Sequence, residues 1–120
     1  MASGSRPLAL VVWELFEPQH TIGVPVIAFL TLEFRMEGAQ SLKDKRQVLR
    51  SLKDRLRAHF NVAVAELDAN NMWQTATVGV VSISSSRDYL QGLMNNVERQ
   101  ATRIANDHGA ELTDSFLDYL

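Results

Sequence analysis

The feature that most constrains the fold is an alternation of residue types over 24–36, VPVIAFLTLEFRM. The even-numbered residues from Val26 to Met36 are all apolar, whereas the odd-numbered residues are mixed. Successive side chains of a β-strand point to opposite faces of the sheet, so this strand has one core face and one mixed face. The mixed face carries Ile27, Phe29 and Thr31, and we expect these residues on an open side of the sheet.

Two helices are predicted, and each begins with a serine followed three residues later by an aspartate. Ser41 with Asp44 forms the first capping box, and Ser85 with Asp88 forms the second. Apolar residues then recur at spacings of three and four, as in an amphipathic helix. The predicted inner faces are Leu42, Val48, Leu49, Leu52, Leu56 and Phe60 in the first helix, and Tyr89, Leu90, Leu93, Met94, Val97, Ala101 and Ile104 in the second.

Three further strands are predicted at 61–68, 73–84 and 110–120, of which the second is rich in β-branched residues and the last is acidic. The polar turn DANNM, 68–72, joins the first two of these as a hairpin. The resulting order, βαββαβ, predicts an α+β ferredoxin-like sandwich with an antiparallel four-stranded sheet and both helices on one face. The open face should meet another protein surface, and we expect a homodimer.

Residues 24–120 form one predicted domain, and residues 1–23 lie outside its pattern as an N-terminal extension. The extension is either native or the product of a start site assigned too far upstream. The apolar run LALVVW, 8–13, is far shorter than the roughly 20 residues of a membrane span, and no small-residue cleavage site follows it. The chain has no cysteine, which excludes disulfides and thiol catalysis and fits a reducing compartment. We therefore expect a cytoplasmic protein without membrane contact.

Positive charge is concentrated in the first helix. Segment 41–60 holds seven of the twelve lysines and arginines and only two aspartates, although the whole chain has a net charge of −2. On a helical wheel, five cations spaced by three and four residues form one stripe roughly 20 Å long. This stripe, hereafter the basic face, consists of Lys43, Arg46, Arg50, Lys53 and Arg57. It is either a solvated surface whose long stems cover apolar atoms or a surface that binds a polyanion such as RNA.

The start of the same helix is a second candidate. Lys43 and Lys45 lie in the first turn, where cations oppose the helix dipole, and they would suit an anion bound near Ser41 and the free backbone N–H groups. The alternative is that Asp44 and Glu37 already balance the charge of this turn.

Other side chains give weaker indications. Trp73 and Gln74 begin the third strand, where Trp73 is either a core anchor or a stacking platform at the rim of an interaction site. Glu66 and Asp68 are expected to be solvated at a strand end. The histidines His20, His59 and His108 lack ligand spacing, so we expect neither a metal nor a cofactor.

A catalytic constellation is not expected. Small acyl-phosphate hydrolases of this fold need an arginine to hold the phosphate and an asparagine to orient water, and Arg35 and Asn61 are the residues available for those roles. Arg35, however, lies inside a predicted strand and not in an anion-binding turn.

SLKDKR at 41–46 and FNVAVAE at 60–66, followed by WQTATVGVVSIS at 73–84, resemble the YlxP-like bacterial family, domain of unknown function 503. The likeness covers residues 24–120. It implies a small ferredoxin-like protein that can dimerise, and an RNA- or ribosome-associated role, because genes of the family often lie near those of ribosome maturation factors. It implies no reaction and supplies no catalytic residues. Members typically begin near Val24, so the extension departs from the pattern.

Two hypotheses follow. The first is an RNA- or ribosome-binding module in which the basic face contacts phosphates and Lys45 lies near the anion at the helix start. The second is a dimeric structural or protein-interaction module that uses the sheet face around Ile27 and Phe29 and has no nucleic-acid role.

Overall fold

A computed structural model describes residues 24–68 and 72–120 of the chain. Its elements are β1 (Val26–Arg35), α1 (Leu42–His59), β2 (Ala63–Glu66), β3 (Thr75–Ser84), α2 (Arg87–Asp107) and β4 (Glu111–Tyr119). The strands form one antiparallel sheet in the order β2-β3-β1-β4. This architecture confirms the predicted α+β ferredoxin-like fold. The expected extension at 1–23 and the centre of the predicted turn at 69–71 lie outside the described residues.

The core forms between one face of the sheet and the two helices. The even-numbered residues of β1 point into it, and Ala28 and Leu32 are both fully buried. Leu56 of α1 and Leu90 of α2 are fully buried as well, at the same apolar cluster. Each large apolar side chain buried in this way contributes about 1.5–3 kcal/mol, so the alternation in β1 and the periodicity of the helices specify the same core.

The caps of α1 are formed by its own sequence. The Ser41 hydroxyl accepts a hydrogen bond from the backbone N–H of Asp44 at 3.1 Å, and the Asp44 carboxylate accepts one from Gln40 N–H at 3.0 Å. This confirms Ser41 as the N-cap. The helix ends at His59, and the N–H of the C-cap residue Phe60 donates to Leu56.

The start of α2 differs by one residue from the prediction. The N-cap is Ser86 and not Ser85, because the Ser86 hydroxyl accepts the backbone hydrogen bond of Tyr89. Tyr89 was predicted on the inner face and is instead 56% exposed. At the other end, Gly109 adopts φ 73°, a left-handed conformation that suits glycine directly after a helix.

The strands of the β2–β3 hairpin are shorter than predicted. β2 contains only Ala63–Glu66, and β3 begins at Thr75, so Trp73 and Gln74 lie in a turn before the strand. The backbone N–H of Met36 donates to the Gln74 carbonyl at 2.7 Å and fixes this turn at the end of β1.

The sheet face away from the helices is open. Ile27, Phe29 and Thr31 all lie on it, as predicted, and across the strand pair they face Ile83, Val81 and Gly79 respectively. Ile83 is 60% exposed and Ile27 37% exposed. Leu67, directly after β2, and Phe116 of β4 are also about half exposed, at 48% and 49%. The described residues therefore leave an apolar patch in contact with solvent.

Candidate nucleic-acid interface

The helical repeat places the basic face at the side of α1. Four residues of the helix are buried: Lys45, Leu49, Leu52 and Leu56. Arg46, Arg50, Lys53 and Arg57 each directly follow one of them and are therefore rotated by about 100° from the core. The cations consequently lie along the boundary between helix and solvent, on the side that faces β2.

Two cations of the basic face contact β2. The Lys53 ammonium lies 2.9 Å from the Glu66 carboxylate, and the Arg57 guanidinium donates to the Val64 carbonyl at 2.9 Å. The Leu67 N–H donates to the Thr77 carbonyl within the hairpin. In an antiparallel pair, every second residue of a strand bonds to the partner strand, so the backbone N–H and C=O groups of Val64 and Glu66 point away from β3. Arg57 thus covers part of the exposed edge of the sheet.

The other three cations are unpaired. Lys43, Arg46 and Arg50 are exposed and make no hydrogen bond or ion pair with residues 24–68 or 72–120. Between α1 and β2 lies an open groove of about 460 Å³. Its charged lining consists of Arg46, Arg50, Lys53, Arg57, Asp54 and Glu66, four cations against two carboxylates. The groove is therefore positive, and half of its cations are free to bind a ligand.

Lys45 has a different environment from the basic face. It is only 5% exposed, and its ammonium donates to the Met72 carbonyl at 2.8 Å and lies 4.0 Å from the Asp68 carboxylate. Asp68, expected to be solvated, has a side chain that is only 17% exposed. Because the Lys45 ammonium is held inside the protein, it does not point to an anion at the helix start.

The start of α1 is capped by side chains of the protein itself. The Ser41 hydroxyl and the Asp44 carboxylate are both used in the cap, which places a negative charge in the first turn. This arrangement favours the interpretation in which Asp44 balances the positive charge of the first turn, and it disfavours an anion bound at the helix start.

Trp73 lies on the surface beside α1. Its exposed fraction of 41% excludes a role as a core anchor. The preceding residue, Met72, is the one whose carbonyl accepts the hydrogen bond from Lys45. The following residue, Gln74, is bonded through its carbonyl to Met36. The backbone on either side of Trp73 is therefore held near Lys45 of α1 and near the end of β1.

Arg35 and Asn61 do not form a catalytic pair. Arg35 is opposite Thr75 at one end of β3, whereas the Asn61 carbonyl accepts a hydrogen bond from Ser82 near the other end. The seven residue steps from Thr75 to Ser82 span roughly 23 Å of strand. One phosphate cannot contact both side chains in this fold.

Metal ligation and membrane crossing find no support in the described part of the chain. No group of three His, Cys, Asp or Glu side chains there is arranged to hold a metal ion. Neither of its two helices combines the length and apolar character needed to cross a bilayer.

Two features of the site were not predicted from the sequence. One is the Lys53–Glu66 pair, which depends on how β2 lies against α1. The other is the burial of Lys45, for which the sequence does carry a signal: Lys45 precedes Leu49, Leu52 and Leu56 at inner-face spacing.

Fold and site together define a small ferredoxin-like protein with one cationic helix face and an open sheet face. The family model described as "Protein of unknown function (DUF503)" matches residues 27–116. The chain belongs to this family, which confirms the resemblance noted in its sequence.

A Bacillus subtilis (strain 168) relative, described as uncharacterized protein YlxP, is 37% identical over 62 residues, which cover 52% of this chain and 67% of the relative. Among solved structures, a C-terminal segment of the alpha subunit of aIF2 from Pyrococcus abyssi has a TM-score of 0.50 and 12% identity, covering 90% of this chain and 57% of that one. The Bacillus subtilis YXEP protein, a dinuclear metal binding peptidase from the M20 family, has a TM-score of 0.50 and 14% identity, covering 84% of this chain and 28% of that one. At these identities the two structures show a shared fold alone.

Proposed function

We propose that this chain is a cytoplasmic RNA-binding module and that the basic face of α1 contacts the phosphate backbone. The observation that carries the proposal is a set of three exposed cations that have no partner among the described residues, Lys43, Arg46 and Arg50, in line with Lys53 and Arg57. A stripe of like charges destabilises a helix by a few tenths of a kcal/mol per pair, and a bound polyanion would relieve this repulsion. The family resemblance adds a ribosomal subunit as the expected source of the RNA.

Phosphate contact is the chemistry that these side chains offer. Arginine presents a planar fork of donors that matches a phosphate, and lysine adds a mobile point charge. Such contacts fix the position of an RNA but carry little sequence information. Lys53 and Arg57 already have partners in β2, so they contribute less than the three unpaired cations.

A charge-reversed pair of variants tests the proposal. We expect Arg46→Glu/Arg50→Glu to lose RNA binding and keep its fold, because both side chains are exposed. The matched control is Arg99→Glu/Arg103→Glu, which makes the same change of charge at the same spacing on the exposed side of α2. Binding is measured by fluorescence anisotropy with a short RNA and with ribosomal subunits. Equal loss in both variants, or loss in neither, would show that the basic face is not the contact.

A second candidate is a homodimer formed through the open sheet face, with no nucleic-acid role. The observation that favours it is the exposed apolar patch around Ile27 and Phe29, which includes Ile83 and Phe116. Apolar patches of this kind mark protein interaction surfaces. Sedimentation over a wide concentration range tests this candidate, and a chain that stays monomeric at high concentration contradicts it.

A further inference from the structure

β2 forms the second wall of the groove beside the basic face. Going from the C-terminal to the N-terminal half of α1, Arg57 contacts Val64, Lys53 contacts Glu66, and Lys45 contacts Met72. β2 therefore runs antiparallel to the C-terminal half of α1, and Met72 lies beside the N-terminal part of the helix. Trp73 comes directly after Met72, so its backbone lies next to the turn of α1 that carries Lys45 and Arg46, and Arg46 is the first of the cations that line the groove.

Trp73 is exposed although its backbone is fixed on both sides. Met72 is held through its carbonyl by the buried Lys45 ammonium, with N–O 2.8 Å, and Gln74 is held through its carbonyl by Met36, with N–O 2.7 Å. A buried lysine is rare because removing its charge from water is costly. In this protein its ammonium holds the residue next to an exposed tryptophan.

An exposed indole whose neighbouring backbone is held in place is a suitable partner for a nucleobase. Stacking needs an accessible aromatic face, and every base offers one, so the contact tolerates any sequence. A duplex keeps its bases paired and stacked on each other, and only unpaired nucleotides can place a base on an aromatic side chain. A cationic groove with such a residue beside its first cation matches a single strand better than a duplex.

We infer that the groove between α1 and β2 binds single-stranded RNA, with phosphates on Arg46 and Arg50 and an unpaired base stacked on Trp73. The inference rests on the proposed function and names the form of RNA that the same site takes. Lys45 is a positioning residue in this site, since it acts through Met72 and does not touch the RNA.

The test uses the full chain and three probes: a single-stranded RNA of about twelve nucleotides, a duplex of that sequence, and inorganic polyphosphate, which has charge but no bases. We expect Trp73→Ala to weaken binding of the single strand by roughly 5- to 150-fold and to leave polyphosphate binding unchanged. Trp73→Phe should retain most of the affinity, because an aromatic face remains. Trp73 is exposed, so these variants should fold.

A spectroscopic measurement reports the stacking itself. In a Trp13→Phe background, Trp73 is the remaining tryptophan of the chain. The single strand should quench its fluorescence, whereas polyphosphate should not. Lys45→Met should reduce this quenching and the affinity for the strand, while polyphosphate still binds as it does to the unchanged protein.

The outcomes separate the two proposals. If Trp73→Ala binds the single strand as tightly as the unchanged protein, or if the duplex binds as tightly as the strand, the inference is overturned and RNA binding by the basic face still stands. If neither RNA nor polyphosphate binds at low salt, the proposed function fails and the inference fails with it.

Discussion

Two lysines in the first turns of α1 have opposite environments, although they are only two residues apart. Lys43 is exposed on the basic face, and Lys45 is buried with its ammonium on the Met72 carbonyl. The difference follows from the helical repeat, since Lys45 shares the inner face with Leu49 and Lys43 does not. Only Lys43 is therefore placed to contact a ligand in solvent.

Replacing each lysine by methionine should separate these roles. Lys45→Met removes a charge-assisted hydrogen bond and takes the nearby ammonium away from Asp68, and it should lower the free energy of unfolding by about 1.5–3 kcal/mol. Lys43→Met, the matched control, should change it by less than about 0.5 kcal/mol. Urea denaturation measures both values. Similar values for the two variants would contradict the assigned environments.

At the scale of elements, α1 and β2 together form the groove, and of the two, α1 was predicted accurately from the sequence. The capping box and the apolar repeat of α1 are local signals, so the bounds of the helix and the line of its cations followed from them. The contacts of Lys53 with Glu66 and of Arg57 with Val64 depend on how a strand packs against the helix. Local sequence patterns do not indicate that packing. The Glu66 carboxylate, which partly neutralises the basic face, was therefore not predicted from the sequence.

Removing that carboxylate should strengthen RNA binding. Glu66→Gln frees the Lys53 ammonium and removes a negative charge from the groove, and we expect an affinity roughly two- to fivefold higher. Glu111→Gln makes the same change of charge at an exposed position at the start of β4 and serves as the control. An equal gain in both variants would show a general effect of net charge and no role for the groove.

At the scale of the whole molecule, the order of elements was predictable because segments with strand-like alternation and segments with helical spacing of apolar residues follow one another along the chain without overlap. Those patterns also placed Ile27, Phe29 and Thr31 on the open face. What they could not give was the exposure of Trp73, which depends on where β3 begins and on the bond between Met36 and Gln74. The molecule thus presents two separate surfaces, a basic face on α1 and an apolar patch on the sheet.

The apolar patch leads to a prediction about assembly. We expect a concentration-dependent dimer that Phe29→Asp and Ile83→Asp disrupt, because each places a charge in the apolar contact. Ile83 is 60% exposed, so Ile83→Asp should keep the fold of the monomer. Gln91→Asp, on the exposed side of α2, makes the same change of charge away from the patch. Analytical ultracentrifugation measures the result, and dimers that persist in both sheet variants would exclude this face.

The most direct test of RNA binding by the basic face is the salt dependence of binding to a single-stranded RNA. Each phosphate neutralised contributes about −0.7 to the slope of log K against log salt concentration. Three unpaired cations alone would give a slope of roughly −2, and all five would give roughly −3.5. A slope in this range that becomes shallower in Arg46→Glu/Arg50→Glu would support the account. A slope near zero, or no binding at low salt, would contradict it and leave the basic face a solvated surface.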